Sequence, residues 1–137
     1  MQLSPYLSFD GQCKEAFKLY EQCLDGKIEA TMTYKESPFA SELPADWGDQ
    51  VIHSELRIGD RILMGADAMP DQYEAAQGTS IMVSMKDPEK AERAFNKLAE
   101  KGTVKMPLEE TFWAAKFGSL VDQFGIPWMI NCEKASE

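Results

Sequence analysis

The sequence predicts an α+β fold: two βαβββ modules within one domain of 137 residues, forming a mixed, curved sheet around a cleft. Three observations carry this. Strand-like and helix-like patterns recur twice in the same order. The helix-like stretches each stop at a glycine, Gly26 and Gly102. Each half then closes on an apolar hairpin pattern, RIGDRILMGAD through Gly59 and QFGIPWMINCE through Gly125.

Taken in order, residues 2–9 alternate and include Pro5, which suits a strand start or a sheet edge. Asp10 is a candidate N-cap for a helix whose apolar residues, Cys13, Ala16, Phe17, Tyr20 and Leu24, recur at helical spacing. Gly26 ends it, and KIEATMTYK (27–35) reads as a strand. A loop rich in Ser, Pro and Asp covers 37–49. QVIHSELRI (50–58) and RILMGAD (61–67) follow as strands joined by Gly59-Asp60, a tight-turn signal. After a second loop the order repeats. TSIMVSM (79–85) is a strand, and Asp87-Pro88 is an N-cap followed by proline at the first helical position. Ala91, Ala94, Phe95, Leu98 and Ala99 form the apolar stripe of the second helix, which Gly102 stops. TVKMP (103–107), WAAKFGSLV (113–121) and IPWMINCE (126–133) supply three more strands.

The repeat can be written as offsets. A shift of 76 residues lays Ser8 on Ser84, Gly26 on Gly102 and Ile28 on Val104; a shift of 66 lays RIGDRILMGAD on QFGIPWMINCE. Module 1 then covers about 1–67, a linker 68–78, and module 2 about 79–137. The period is too long for a solenoid.

Composition narrows the function classes. Hydrophobic residues make up 44% of the chain and charged ones 27%, enough apolar mass for a core without staples. A net charge of −9, with no basic cluster to offset it, argues against a nucleic-acid partner. The apolar runs are too short to span a membrane, and MQLSPYLSFD lacks the pattern of a signal peptide, so the default home is the cytoplasm. Cys13, Cys23 and Cys132 lack metal-binding or disulfide-framework spacing and read as reduced, mostly buried thiols.

The paired module order, EAFKLYEQCLDGKI (15–28) and DQFGIPWMI (122–130) resemble the glyoxalase/bleomycin-resistance, or vicinal oxygen chelate, superfamily. PYLSFDG (5–11), HSELRIGDRILMGAD (53–67) and FWAAKFGSLVDQFGIPWMINCE (112–133) resemble its PhnB-like branch, some members of which carry a demethylubiquinone methyltransferase-like label. The resemblance covers essentially the whole chain. It implies the fold, a homodimer, and in many members a divalent metal held by His, Gln and Glu from the first and last strands of each module. The superfamily also includes drug-sequestering proteins, so it does not imply a single activity.

Alternation then assigns faces. Pro5, Leu7 and Phe9, with Ile81, Val83 and Met85, should meet the helices; Tyr6 and Ser8, with Met82 and Ser84, should face the cleft. In the last strands, Ile62 and Met64, with Trp128 and Ile130, are expected on the helix side. Leu63 and Met129 are expected on the cleft side. The metal positions implied by the resemblance fall at Ser4, Leu63, Ser80 and Met129. These side chains cannot hold Mg, Mn, Zn or Fe(II), so no metal and no cofactor is expected.

His53, Glu55 and Arg57 share one face of their strand, opposite Ile52, Leu56 and Ile58. They are the catalytic candidates: His53 as base or hydrogen-bond partner, Arg57 as a grip on a carboxylate or phosphate. A solvated strand face with a Glu–Arg pair is the other reading. Asp67, at the end of the next strand, could join His53 and Glu55 around a displaced metal. The cleft is expected to be lined by Tyr6, His53, Arg57, Leu63, Ser80, Met82, Trp113, Phe117 and Met129, with the alternative that Trp113 and Phe117 are core. The expectation is a protein that binds a small, partly apolar molecule without the usual metal. A metal-dependent or His53-centred enzyme (of lyase, transferase or dioxygenase type) and a dimeric scaffold with filled clefts are its alternatives.

Overall fold

The computed structural model describes residues 1–44 and 46–135. The chain forms two compact units, Met1–Ala75 and Ala76–Glu137. The first contains β1 (Tyr6–Phe9), α1 (Cys13–Cys23), β2 (Lys27–Thr33), β3 (Val51–Ile58) and β4 (Arg61–Asp67). The second contains β5 (Ile81–Met85), α2 (Pro88–Ala99), β6 (Thr103–Glu109), β7 (Ala114–Val121) and β8 (Pro127–Glu133). Each is therefore a βαβββ module. Two short 3-10 turns, Tyr34–Glu36 and Ala40–Glu42, punctuate the first long loop.

The strands make two four-stranded sheets, ordered β1-β4-β3-β2 and β5-β8-β7-β6. In each, the first strand runs parallel to the last, and the remaining neighbours are antiparallel. One face of each sheet is covered by its own helix. In the first unit, Cys13, Ala16, Phe17 and Tyr20 of α1 are buried together with Phe9, Leu56 and Leu63. Phe17 stands edge-on to Phe9 at 6.0 Å between ring centroids. In the second, Ala91, Ala94, Phe95 and Leu98 of α2 are buried with Leu120, Trp128, Ile130 and Cys132. Each large side chain so buried contributes about 1.5–3 kcal/mol of transfer free energy. Trp128 and Ile130 are core, as the alternation predicts.

Gly26 and Gly102 have a different role from the one expected. The left-handed residues after the helices are Asp25 (φ 51°) and Lys101 (φ 60°), each one position earlier. The glycines are needed because the chain passes hard against the third strand of its unit. A Cβ on Gly26 would lie 3.0 Å from the Arg57 carbonyl oxygen, and one on Gly102 would collide with the Val121 carbonyl oxygen. Gly125, by contrast, does take a left-handed conformation, at φ 86°.

The helix starts also differ. In α2 the Asp87 side chain accepts from the Glu89 N–H at 3.0 Å with Pro88 first in the helix, as the sequence predicts. In α1 the residue before the helix is Gln12, with no side-chain cap, and Asp10 does not take that place. Asp67 does instead, from the end of β4. Its Oδ1 accepts from the Cys13 N–H and its Oδ2 from the Val51 N–H, both at 2.9 Å. Tyr34 donates to the Asp67 backbone carbonyl oxygen at 2.8 Å, so Asp67, by carboxylate and backbone together, joins β1's end, α1, β3 and the loop between β2 and β3.

Candidate functional site

Among the described residues, the face of each sheet away from its helix carries exposed side chains, Tyr6 and Met32 in the first and Met82 in the second. In the first unit the register places Tyr6 beside Met64, Met64 beside Glu55, and Glu55 beside Ala30, one row across all four strands. His53 sits beside Met32 and Arg57 beside Ile62. Strand alternation sends the intervening Ser54 and Leu56 into the buried, helix-covered layer. The expectation that His53, Glu55 and Arg57 share one face holds.

Three of these residues form a hydrogen-bonded chain. Tyr6 Oη lies 3.1 Å from His53 Nδ1, and His53 Nε2 lies 2.9 Å from Glu55 Oε2. The Tyr6 and His53 rings approach to 5.7 Å at 31°. An ionised carboxylate only accepts, so with a neutral ring Nε2 carries the proton and Nδ1 accepts from the tyrosine hydroxyl. The order is Tyr6 O–H to His53, and His53 N–H to Glu55. Burial, with smaller contributions from Cys13 and Tyr34, raises the Tyr6 hydroxyl above its ordinary range. Arg57 does not pair with Glu55. Its Nε donates to Glu29, which a β-bulge between Ile28 and Ala30 brings to that edge of the face.

Two expectations about the last strands are corrected. Leu63 is only 4% exposed and belongs to the helix-covered layer. The next residue on that side, Gly65, faces the Phe17 ring, 2.9 Å from where its Cβ would stand. Met64 and Ile62 therefore occupy the open face. The reason lies in the hairpins. Two residues link β3 to β4, whereas β7 pairs Val121 with Pro127 across a five-residue loop, so aligning Gly59 with Gly125 slips the register by one. Counting back from the two-residue turn pairs Glu55 with Met64 directly, a signal present in the sequence. Asp67 is also corrected. It is 1% exposed on the helix side, held by backbone N–H groups, and is no partner of His53 or Glu55.

In the second unit Met82 pairs with Met129 and Ser84 with Asn131, all on the face opposite Trp128 and Ile130. Ser119 lies beside Met129 and Phe117 beside Asn131. Trp113, just before β7, stands edge-on to Phe117 at 5.2 Å, and Phe112 to Trp113 at 4.8 Å. Phe117 is buried, while Phe112 is 88% exposed. Ser80 precedes β5 and Ser4 precedes β1, so neither belongs to a strand.

The metal implied by the superfamily does not fit these positions. Paired across the first and last strands of each module are Tyr6 with Met64, Ser8 with Ala66, Met82 with Met129, and Ser84 with Asn131. Phenol, thioethers, hydroxyls, a methyl group and an amide do not make a carboxylate–imidazole shell for a hard or borderline divalent ion. Among the described residues no group of three His, Cys, Asp or Glu side chains is placed to hold an ion. Thiol chemistry fits no better. Cys13 is fully buried beside Asp67, and burial pushes its thiol far above the ordinary range. No helix among the described residues is long and apolar enough to cross a membrane.

Comparison with known proteins adds a family. A family model described as 3-demethylubiquinone-9 3-methyltransferase matches residues 1–131. Protein YjdN of Escherichia coli K12 is 35% identical, over 98% of this chain and 97% of its own. The crystal structure of PA1353 from Pseudomonas aeruginosa superposes with a TM-score of 0.90 at 46% identity, covering 98% of this chain and 99% of that one. A PhnB protein from Bacillus cereus, titled a putative 3-demethylubiquinone-9 3-methyltransferase, superposes with a TM-score of 0.81 at 26% identity, over 96% of this chain and 99% of that one.

Proposed function

The chain belongs to the 3-demethylubiquinone-9 3-methyltransferase family, within the PhnB-like branch of the glyoxalase/bleomycin-resistance fold, and from that premise we propose that it binds a small, partly apolar molecule on the open face of its first sheet, without the superfamily's divalent metal. The observation that carries this reading is the Tyr6–His53–Glu55 chain set among thioether and aliphatic side chains. A few fixed polar groups on an otherwise apolar surface are the usual composition of a small-molecule site, the polar groups setting orientation. On this reading Tyr6, His53 and Met64 contact the ligand and Glu55 positions the imidazole. Arg57, engaged by Glu29, closes one side. The second sheet, taken by itself, presents Met82 and Met129 with Trp113 and Phe117, an apolar, adaptable surface of its own. The exposed Phe112 and Met82 are surfaces that a second copy would cover in a homodimer, and the cytoplasm is the compartment we assign.

The same chain of hydrogen bonds supports one second reading, acid–base chemistry in which Tyr6 exchanges a proton with the ligand and His53 sustains it. Both readings place His53 at the centre and are tested together. Native mass spectrometry of protein purified from its own host, without chelators, should show a bound small molecule on wild type that is lost from a folded His53→Ala variant. Unchanged ligand occupancy in that variant, or one divalent ion per chain in wild type, would defeat the proposal.

A further inference from the structure

The hydrogen-bond bookkeeping of the first sheet's open face specifies the polarity of its ligand. With a neutral imidazole, the Tyr6 hydroxyl proton goes to His53 Nδ1 and the His53 Nε2 proton goes to Glu55. The Arg57 Nε proton goes to Glu29. Around Tyr6 and Glu55 the groups left over are acceptors: the phenol oxygen's lone pairs and Glu55 Oε1, the carboxylate oxygen that His53 does not use. The charged groups whose registers place them on this face are Lys27, Arg57 and Glu55, with Glu29 at the bulge. Arg57 and Glu29 cancel in charge; the four Arg57 N–H protons other than that on Nε, with Lys27 beside Arg57 in register, stand toward the end of β3, two residues past Glu55 and four past His53. Thioethers of Met32 and Met64 and the face of Tyr6 border the acceptors, surfaces that suit an apolar body carrying a cation.

We infer that the ligand of this face is a hydrogen-bond donor, an ammonium or other protonated amine on a small apolar frame, received by the Tyr6 oxygen and Glu55, and not a carboxylate or phosphate gripped by Arg57. This rests on the proposed binding reading and deepens it. An anion placed between Tyr6 and Glu55 would meet two acceptor oxygens, one of them the carboxylate's, whereas an ammonium meets partners for its protons.

His53 is the chain's one histidine, so its imidazole C2 proton gives a single, assignable NMR reporter beside the site. Three probes built on the same phenyl ring, benzylamine, benzyl alcohol and phenylacetate, are titrated into wild type, Glu55→Gln and Tyr6→Phe at pH 7. The expected result is a saturable shift of the His53 resonance by benzylamine, a weaker one by benzyl alcohol and none by phenylacetate. Affinity for benzylamine should fall about tenfold or more in Glu55→Gln, as loss of a charged hydrogen bond implies. Both substitutions lie on the open face, and an unchanged pattern of buried methyl resonances verifies the fold. A shift by phenylacetate alone overturns the polarity while leaving small-molecule binding intact. Failure of all three probes to move the resonance overturns both, and a benzylamine shift that survives both substitutions overturns the assignment to Tyr6 and Glu55.

Discussion

Helices α1 and α2 hold the same place in their units, yet their N-termini are satisfied by different means. Asp87, immediately before α2, caps it locally. Asp67, 54 residues after Cys13, caps α1 from the end of β4 while also holding the start of β3. A second contrast concerns the aromatic ring under each helix. Phe17 sits on Gly65 of β4, and Phe95 sits on Gly118 of β7. In the first unit Ser54 lies beside Gly65; in the second Ile130 lies beside Gly118. The hollow for the ring has moved one strand sideways. The two units thus keep the layer arrangement and solve its local demands separately, as expected when burial is required but particular partners are not. The open faces differ most. The first carries the Tyr6–His53–Glu55 chain and the second is mainly thioether and aromatic, so the hydrogen-bonded chain lies in one unit.

The capping contrast predicts the largest effect. Asp67→Ala orphans two buried N–H groups and should cost about 3 kcal/mol, whereas Asp87→Ala should cost about 1 kcal/mol, measured by urea denaturation. Equal losses would mean that Asp67 is no more than a local cap. The glycine contrast comes next. At Gly118 a Cβ would meet the Phe95 ring at 2.8 Å and unyielding backbone, the Met106 oxygen at 2.9 Å and Leu108 Cα at 3.0 Å. At Gly65 it would meet mainly the Phe17 ring at 2.9 Å, with the Leu7 oxygen at 3.2 Å. Gly118→Ala should therefore destabilise by about 2–3 kcal/mol and Gly65→Ala by about 1 kcal/mol, and the reverse order in thermal unfolding would sink the comparison.

The smallest effect is a slope. Burial raises the Asp67 carboxyl above the ordinary 3.8, against the pull of the Val51, Cys13 and Gly11 N–H groups. A raised native value means that its contribution to stability is complete below pH 3.8 and is lost as pH rises through the native value. The stability of wild type relative to Asp67→Asn should thus decline as pH rises above 4. A rise there would mean that the N–H groups outweigh burial.

Much of this was legible in the sequence, and the failures are specific. The helices, the tight Gly59-Asp60 turn, the Asp87-Pro88 start and the buried Trp128 and Ile130 follow from local spacing. Alignment of the two hairpins through their glycines puts Leu63 on the open face, but their loops differ in length, and a slip of one residue inverts a strand. Asp67 was a candidate ligand because nothing near it in sequence shows that its oxygens are taken. Arg57's partner, Glu29, comes from another strand through a bulge, which sequence spacing does not announce.

Local and periodic features follow from the amino-acid order alone: element order, the repeated module, the α2 cap, and the shared face of His53, Glu55 and Arg57. Those depend on residues a few positions apart, within reach of backbone geometry. Which distant groups meet is set by the folded chain. Asp67 caps α1, Met64 faces outward beside Tyr6, and Tyr6 reaches His53 across 47 residues of chain to form the candidate site. The physical reason is that hydrogen-bond partners and sheet register are set by packing each helix on its own sheet, and packing joins residues that sequence separation keeps apart.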